Sequence, residues 1–216
     1  MIIFKKMKSI IIYGCGGHAK VVTDIIEKNK LFRITGFIND DPNFEKYFLG
    51  YPVLGDKKIL QKKEMHRHHV IVAIGNNKIR QNLFEELKEL GYQSIIAIHP
   101  KAIIGSRVKI DTGTVVMAGV VINPGTKIGK NVIINTGATI DHDNLIENAA
   151  HIAPGVHLSG AVKIGELSWI GTGANVKECI CIGSNTIIGM GASVIKDVPD
   201  NVIYAGIPAK FLKNNN

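Results

Sequence analysis

The sequence predicts a small α/β domain followed by a parallel β-helix. Glycine accounts for 23 of 216 residues, isoleucine for 35, and aromatic residues for only 6%. This composition is typical of many short strands joined by tight turns. The first part of the chain opens with a strand, a glycine-rich turn and an apolar-periodic helix, whereas the second part repeats an aliphatic residue at every sixth position. These two patterns predict two domains, residues 1–98 and residues 99–216.

Composition and charge exclude several classes of protein. The net charge of +8 divides into 16 Lys and Arg against 10 Asp and Glu in residues 1–98, and 10 against 8 in residues 99–216. This surplus of positive charge favours a phosphorylated ligand. The sequence has no basic stripe interleaved with aromatic residues, so it does not indicate nucleic-acid binding. No apolar run approaches the ~20 residues of a membrane span. Cys15, Cys179 and Cys181 lack metal-site spacing, so we expect reduced thiols and a cytoplasmic protein.

The first domain begins with a predicted phosphate-binding turn. Residues 8–13 form an apolar run that predicts a buried parallel strand, and a helix follows with apolar residues through positions 21–26. Between them, Gly14, Gly16 and Ala19 match the G-x-G-x-x-G/A spacing. In that motif the backbone binds a phosphate at the N-terminus of a helix.

The remaining elements of this domain predict a sheet that is too small for a complete dinucleotide site. We expect strands over residues 34–38, 70–74 and about 94–98, and a helix over about 78–90. Asn39 and Asp40 end the second strand, where dinucleotide folds place an acid for the ribose, although a polar turn explains them equally well. About 98 residues hold one mononucleotide half, which disfavours a hydride-transfer enzyme. The histidines at 66, 68 and 69 lack a cysteine or acidic cluster, so we expect no metal.

The second domain carries the clearest signal, a period of six. Neither a helix nor a lone strand has this period, whereas each hexad of a parallel β-helix supplies one short strand and a turn, and three hexads close a triangular coil. Glycine often follows the aliphatic position, as at Gly165, and we expect it to serve the corners. The sixteen aliphatic positions are Ile104, Ile110, Val116, Ile122, Ile128, Ile134, Ile140, Ile146, Ile152, Leu158, Ile164, Ile170, Val176, Ile182, Ile188 and Val194.

Together these motifs resemble one family over nearly the full chain. They are the G-x-G-G-H-A-K turn from Gly14, the F-I-N-D strand end from Phe37, the A-I-G-N-N-K-I-R loop from Ala73, the Ile-Gly hexads and the Y-A-G-I-P-A-K tail from Tyr204. This combination resembles the bacterial sialic acid O-acetyltransferase family of hexapeptide-repeat sugar acyltransferases. Its best-understood members N-acetylate UDP- or dTDP-linked 4-amino-4,6-dideoxysugars for surface glycans, lipopolysaccharide among them.

The resemblance implies a left-handed β-helix, against the right-handed crossover rule. It also implies a homotrimer with active sites at its interfaces, acetyl-CoA as cosubstrate, a nucleotide-linked amino sugar in the N-terminal domain and no metal. Position by position, the implied nucleotide-sugar contacts are Gly16, Gly17, His18, Asn39, Asp40 and Gly75. The implied coenzyme A contacts are His151, Thr172 and Met190.

His142 is the predicted catalytic base. It follows the inward Ile140 by two residues, so it lies at an outward corner, and carboxylates flank it on both sides. Such neighbours favour the protonated imidazole and hold one tautomer. An exposed polar corner is the alternative from these residues alone, but the family carries its base in the matching Ile-x-His-acid motif. Close members have Glu after the histidine where this chain has Asp143, so Asp143 and Asp141 both compete to orient the ring.

The predicted reaction is direct acetyl transfer to the sugar amine, with His142 as general base and the Gly160 N–H facing the thioester oxygen. Two alternatives stay open. One is O-acetylation of sialic acid or another sugar hydroxyl on the same scaffold. The other is a noncatalytic or zinc-dependent β-helix, although His142, His151 and His157 are not spaced by one 18-residue coil. A shared corner line for zinc needs that spacing within one chain.

Overall fold

The structure, a computed structural model, describes residues 7–215. It divides into two compact units with the boundary between Ala97 and Ile98. In the described range, no helix is both long and apolar enough to cross a membrane.

The first unit is a five-stranded sheet with two α-helices. The strand order is β3-β4-β2-β1-β5, and every pairing is parallel except that of β3 with β4. Its interior contains the fully buried run Ile10–Ile12 of the central strand, as a parallel strand covered on both faces requires. The elements are β1 (Lys8–Tyr13), α1 (Gly17–Asn29), β2 (Phe32–Ile38), β3 (Tyr47–Phe48), β4 (Tyr51–Gly55), two 3₁₀ helices (Lys57–Gln61 and Lys63–Arg67), β5 (His69–Val72) and α2 (Asn77–Glu89).

Two features of this unit differ from the sequence prediction. The strand expected over about 94–98 is wrong, because Ser94 makes only an isolated bridge to Val70 and Ala97–Ile98 is already the first strand of the β-helix. The β3–β4 hairpin was not predicted at all. Its two-residue turn has Leu49 and Gly50 at φ 51° and 80°, as a tight hairpin requires, and a leucine at such a position gives no turn signal.

The second unit is a left-handed parallel β-helix of hexapeptide repeats, as the sequence predicted. From β6 to β22, successive short strands enter three sheets in rotation, so strands three apart pair; at the end of the coil β21 pairs with β23, and β24 runs antiparallel to β23. The first wall contains β7 (Ile103–Ile104), β10 (Val121–Ile122), β13 (Thr139–Ile140), β16 (His157–Leu158), β19 (Asn175–Val176) and β22 (Ser193–Val194). The second wall contains β8 (Lys109–Ile110), β11 (Lys127–Ile128), β14 (Leu145–Ile146), β17 (Lys163–Ile164) and β20 (Cys181–Ile182). The third wall contains β6 (Ala97–Ile98), β9 (Val115–Val116), β12 (Ile133–Ile134), β15 (His151–Ile152), β18 (Trp169–Ile170), β21 (Ile187–Ile188), β23 (Val202–Ala205) and β24 (Lys210–Asn214).

The period of six is the period of this coil. Each aliphatic residue of the series is the second residue of a two-residue strand, and from Val116 to Val194 all of them are buried. Residues eighteen apart pair in register, for example Ile122 with Ile140 and Ile140 with Leu158. The stacked side chains form one continuous core, so each coil covers the apolar face of the next.

The corners use glycine in two ways, and only one of them was predicted. The backbone takes a left-handed conformation three residues after each aliphatic position from Ile104 to Ile188. Glycines adopt it as predicted, for example Gly137 (φ 68°), and so do other residues such as Asp143 (φ 57°) and Ala161 (φ 56°). Glycines directly after the aliphatic position serve a close approach instead: a Cβ on Gly165 would lie 2.5 Å from the backbone nitrogen of Ser184 in the next coil. The corner that carries His142 is thus built with a left-handed Asp143, a residue type that tolerates this conformation.

Candidate active site

His142 and Asp143 form a hydrogen-bonded pair at the corner between β13 and β14. The Nδ1 atom of His142 lies 2.9 Å from Oδ2 of Asp143, and both side chains are more than half exposed. The left-handed backbone at Asp143 turns its carboxylate back toward the preceding ring. A carboxylate on Nδ1 holds the proton there, so Nε2 is the nitrogen left to accept a proton from a substrate.

Asp141 does not compete for the ring. Its Oδ1 accepts hydrogen bonds from the side-chain amide of Asn123, at 2.8 Å, and from the backbone N–H of His142, at 2.8 Å. These two bonds lower the pKa of Asp141 and keep it ionised. The hydrogen bond to Asp143 and then the charge of Asp141 raise the pKa of His142 above its ordinary value. Asp143 is therefore the carboxylate that contacts and orients the imidazole, and Asp141 acts on it through its charge.

Gly160 lies directly against the imidazole, one coil further along. A Cβ at Gly160 would lie 2.6 Å from Nε2 and 2.8 Å from Cε1 of His142, so the ring packs over this glycine. Within residues 7–215, the backbone N–H of Gly160 has no hydrogen-bond partner, while its carbonyl accepts from Cys179. Gly160 therefore combines contact with the imidazole and an unused backbone donor, two features that acyl transfer can use.

An open groove of about 270 Å³ borders this corner on the first wall. Asp141 and Ser159, which directly precede His142 and Gly160, are part of its lining. His157, which the sequence left without a role, lies in the same groove with its Nδ1 2.7 Å from Oγ1 of Thr139. The groove residues are Val121, Asn123, Thr139, Ile140, Asp141, His157, Leu158 and Ser159.

The three predicted coenzyme A contacts lie elsewhere on the same β-helix. His151 is on the third wall, where its ring stacks on Trp169 at 6.1 Å and its Nε2 lies 3.2 Å from Nδ2 of Asn135. Thr172 and Met190 lie on the corner between the third and first walls, and Met190 is 80% exposed. The first wall separates that corner from the His142 corner. One chain therefore does not bring its predicted coenzyme A contacts to its own histidine.

The predicted nucleotide-sugar residues meet at one edge of the sheet in the first unit. Gly16 is the N-cap of α1, and Gly17 and His18 form its first turn. Asn39 and Asp40 follow β2, and Gly75 follows β5. Because β2, β1 and β5 are parallel neighbours, their carboxyl ends lie side by side, where parallel sheets bind ligands.

Asp40 is held by two partners. The phenol of Tyr13 donates to its Oδ2 at 2.6 Å, and the backbone N–H of Lys57 donates to its Oδ1 at 2.9 Å. Burial and then the bond to Asp40 raise the pKa of Tyr13, so the phenol remains a donor. A carboxylate has about four acceptor positions, so Asp40 keeps capacity for a ligand hydroxyl.

Sequence reasoning missed two residues that shape these sites. Arg80 is 1% exposed, and its guanidinium donates to the carbonyl oxygens of Ile74 and Gly75 at 3.3 and 3.1 Å, which holds the loop after β5. An arginine near the start of a helix gives no sign of burial. Asn144 is buried beneath the His142 turn. The sequence offered one sign of this: Asn144 lies two residues before an aliphatic position, where the other hexads have mostly small or β-branched residues.

Metal ligation finds no support in the part of the chain that the structure describes. No group of three or more His, Cys, Asp or Glu side chains there could hold a metal ion. The chemistry left to this corner is that of an exposed, oriented histidine, a group suited to general-base catalysis.

Comparison with known proteins defines the family. The PglD N-terminal domain family matches residues 9–87. The chain is 38% identical over 118 residues to UDP-N-acetylbacillosamine N-acetyltransferase of Bacillus subtilis, covering 52% of each protein. It is 32% identical over 181 residues to GDP-perosamine N-acetyltransferase of Escherichia coli O157:H7, covering 82% of this chain and 81% of the relative. The chain thus spans about half of the first relative and most of the second.

A solved structure agrees over both units. PerB from Caulobacter crescentus, determined in complex with CoA and GDP-perosamine, superposes with a TM-score of 0.89 at 38% identity, over 94% of this chain and 97% of that one. The chain belongs to the family of hexapeptide-repeat sugar acetyltransferases that includes these N-acetyltransferases. The family resemblance, the acyltransferase class and the fold read from the sequence are confirmed.

Proposed function

We propose that this chain transfers the acetyl group of acetyl-CoA to the 4-amino group of a nucleotide-linked 4-amino-4,6-dideoxysugar, UDP- or dTDP-linked. The observation that carries the proposal is the His142 corner, where an oriented ring and an unoccupied N–H lie side by side. The names of the relatives support an amino sugar on a nucleotide as acceptor, and the CoA in PerB supports the donor.

His142 performs the proton transfers in this proposal. Its Nε2 accepts the proton that the amine gives up as the nitrogen lone pair forms the new C–N bond to the thioester carbon. The N–H of Gly160 donates to the thioester oxygen as negative charge develops there. When the C–S bond breaks, the protonated ring returns its proton to the sulfur, which leaves as the thiol. No acyl-enzyme forms, and the exposed Cys179 and Cys181 take no part.

The sheet edge of the first unit is the proposed binding site for the nucleotide sugar. The first turn of α1 carries no acidic side chain, and its N-terminal N–H groups attract a diphosphate. Gly16, Gly17 and His18 would contact the phosphates, and Asn39, Asp40 and Gly75 the remainder of the nucleotide sugar.

We further propose a homotrimer in which each active site uses two copies of the chain. The corner with Thr172 and Met190 is separated from the His142 corner by a whole wall, so a second copy must supply its coenzyme A contacts to complete a site. Co-expression of a His142→Ala chain with a Met190→Glu chain tests this arrangement. Shared sites predict recovery of about a quarter of parent activity in randomly mixed trimers, whereas sites within one chain predict none.

The cytoplasm is the proposed location, since Cys15, Cys179 and Cys181 are unpaired thiols.

A panel of acceptors tests the function. Purified protein with acetyl-CoA is offered UDP-, dTDP- and GDP-linked 4-amino-4,6-dideoxysugars, with CMP-sialic acid and the matching 4-hydroxy sugars as controls, and products are analysed by mass spectrometry. We expect a product heavier by one acetyl group, stable to mild alkali as an amide is, from a UDP- or dTDP-amino sugar. An alkali-labile ester from a hydroxyl acceptor, or no product with any acceptor, would refute the proposal.

A further inference from the structure

A single buried amide lies beneath the His142 corner. Asn144 is 1% exposed and occupies the interior row of the second wall, two residues before the inward Ile146. The neighbouring coils place apolar or hydroxyl side chains at the equivalent positions. The row reads Val108, Thr126, Asn144, Val162 and Ile180.

The amide nitrogen of Asn144 donates to three backbone carbonyls. Its Nδ2 lies 2.7 Å from the oxygen of Asp141, 3.0 Å from that of Ser159 and 3.3 Å from that of His142. Its Oδ1 is buried and has no hydrogen-bond partner in the described residues. An unpaired buried oxygen opposes folding, so a valine, as at Val162 in the following coil, would serve the core better.

Other buried polar side chains of the coil make only part of this pattern. The hydroxyls of Thr114, Thr126 and Ser168 each donate to the carbonyl fifteen residues later. The bond from Asn144 to Ser159 is the same kind of bond between coils. The bonds from Asn144 to Asp141 and His142 have no counterpart in those three residues. The buried hydroxyl of Thr186 reaches one carbonyl of its own preceding turn, that of Ser184 at 3.3 Å, whereas the amide of Asn144 reaches two.

These three carbonyls belong to the peptide units that orient the site. Peptide units are planar and trans, so each carbonyl points opposite to the N–H of the next residue. Holding the Ser159 oxygen toward the interior turns the N–H of Gly160 outward, to the side where the His142 ring lies. The oxygens of Asp141 and His142 also accept from the Thr126 hydroxyl and the Ala161 N–H, and Asn144 is the one donor that joins both of them to the Ser159 oxygen.

We propose that Asn144 is a positioning residue that aligns the turn of His142 with the N–H of Gly160 for acetyl transfer. The inference rests on the proposed function, since it gives Asn144 a role through the base and the oxyanion donor. Asn144 is buried beneath the turn and contacts no substrate.

Two variants separate the bonds of Asn144. Asn144→Val, matched to Val162, removes all three bonds, and Asn144→Thr, matched to Thr126, keeps only the bond to Ser159. We expect kcat to fall about 100-fold in Asn144→Val and about tenfold in Asn144→Thr, since a misplacement of about 1 Å costs rates of this order. The KM for acetyl-CoA should stay within about twofold of the parent value, because the predicted coenzyme A contacts lie at another corner.

A merely structural role predicts a different result, which a control variant and a titration reveal. Thr114→Val removes the same kind of buried bond at a corner without His142, and it should keep parent kcat. NMR titration of the His142 ring in the absence of substrate should show its pKa lowered toward the ordinary value in both Asn144 variants, because a loosened turn weakens the bond to Asp143. Thr114→Val should leave that titration unchanged.

Parent kcat and parent His142 titration in Asn144→Thr would overturn the proposal, and so would the same result in a folded Asn144→Val. If Asn144→Val does not fold, Asn144→Thr decides. Failure of the proposed function is distinguishable: a His142→Gln variant with parent turnover would refute the base, while the substrate-free titration still reads the effect of Asn144 on the turn.

Discussion

Gly160→Ala is the most informative single change at the site. The new Cβ would lie 2.6 Å from Nε2 and 2.8 Å from Cε1 of His142. Carbon atoms pack at about 3.5–4.0 Å, so the ring must move by about 1 Å. Gly160 does not have a left-handed backbone, so alanine adds no backbone strain, and the half-exposed ring can move outward.

The predicted consequence is a loss of rate without a loss of stability. A displacement of about 1 Å costs about 100-fold in rate, which corresponds to about 2.7 kcal/mol of transition-state stabilisation. The melting temperature should change little, because the ring moves into solvent and no buried group is lost. The assay follows the coenzyme A thiol released with saturating nucleotide amino sugar.

A double variant tests whether Gly160→Ala acts through the His142 ring. In a His142→Ala background the obstructing ring is gone and the N–H of residue 160 is retained, so adding Gly160→Ala should cost almost nothing further. Parent kcat in Gly160→Ala would refute the account, and so would an undiminished hundredfold effect in the His142→Ala background.

Three further predictions address other parts of the molecule. The raised pKa of His142 means that the acidic limb of kcat/KM, where the base becomes protonated, lies above pH 6.5; Asp143→Asn should lower that pKa and move the limb to lower pH. Arg80→Met leaves the carbonyls of Ile74 and Gly75 without their donor, so the unfolding free energy should fall by about 3 kcal/mol and the Kd for nucleotide sugar should rise. Wild-type affinity for the nucleotide sugar in Arg80→Met would contradict this role. Ile152→Ala opens a cavity in the coil core and should lower the unfolding free energy by about 2–5 kcal/mol in chemical denaturation, whereas no change would contradict the stacking of the aliphatic residues.

The β-helix could be predicted from the sequence because its signal is repetitive. One aliphatic residue per hexad, from Ile104 to Val194, predicts a coil that stacks these residues eighteen apart, and the coil buries all of them from Val116 onward. The corners were harder. Glycines such as Gly137 do adopt the left-handed conformation at corners, as predicted. Glycines such as Gly165 instead serve a close approach between coils, and non-glycine residues such as Asp143 also adopt the left-handed conformation.

The candidate site could be predicted only where a residue type itself indicates a chemical role. His142 stands out because two carboxylates flank it. Which carboxylate contacts the ring depends on the turn geometry, because the amide of Asn123 in the preceding coil donates a hydrogen bond to Asp141. The packing of Gly160 against the imidazole is equally invisible, because it joins residues one full coil apart. Arg80 could not be predicted as buried. A charged residue is buried only where acceptors such as the Gly75 carbonyl pair with it, and that pairing is set by the fold.

The most direct test of the central claim, general-base acetyl transfer at His142, compares His142→Ala with the parent protein in two measurements. Titration calorimetry should give nearly the same affinity for coenzyme A, because the ring is not among the predicted coenzyme A contacts. Steady-state turnover with acetyl-CoA and the preferred amino sugar should fall by about 1,000-fold, the order of magnitude of a lost general base. Turnover close to that of the parent protein in His142→Ala would contradict the account.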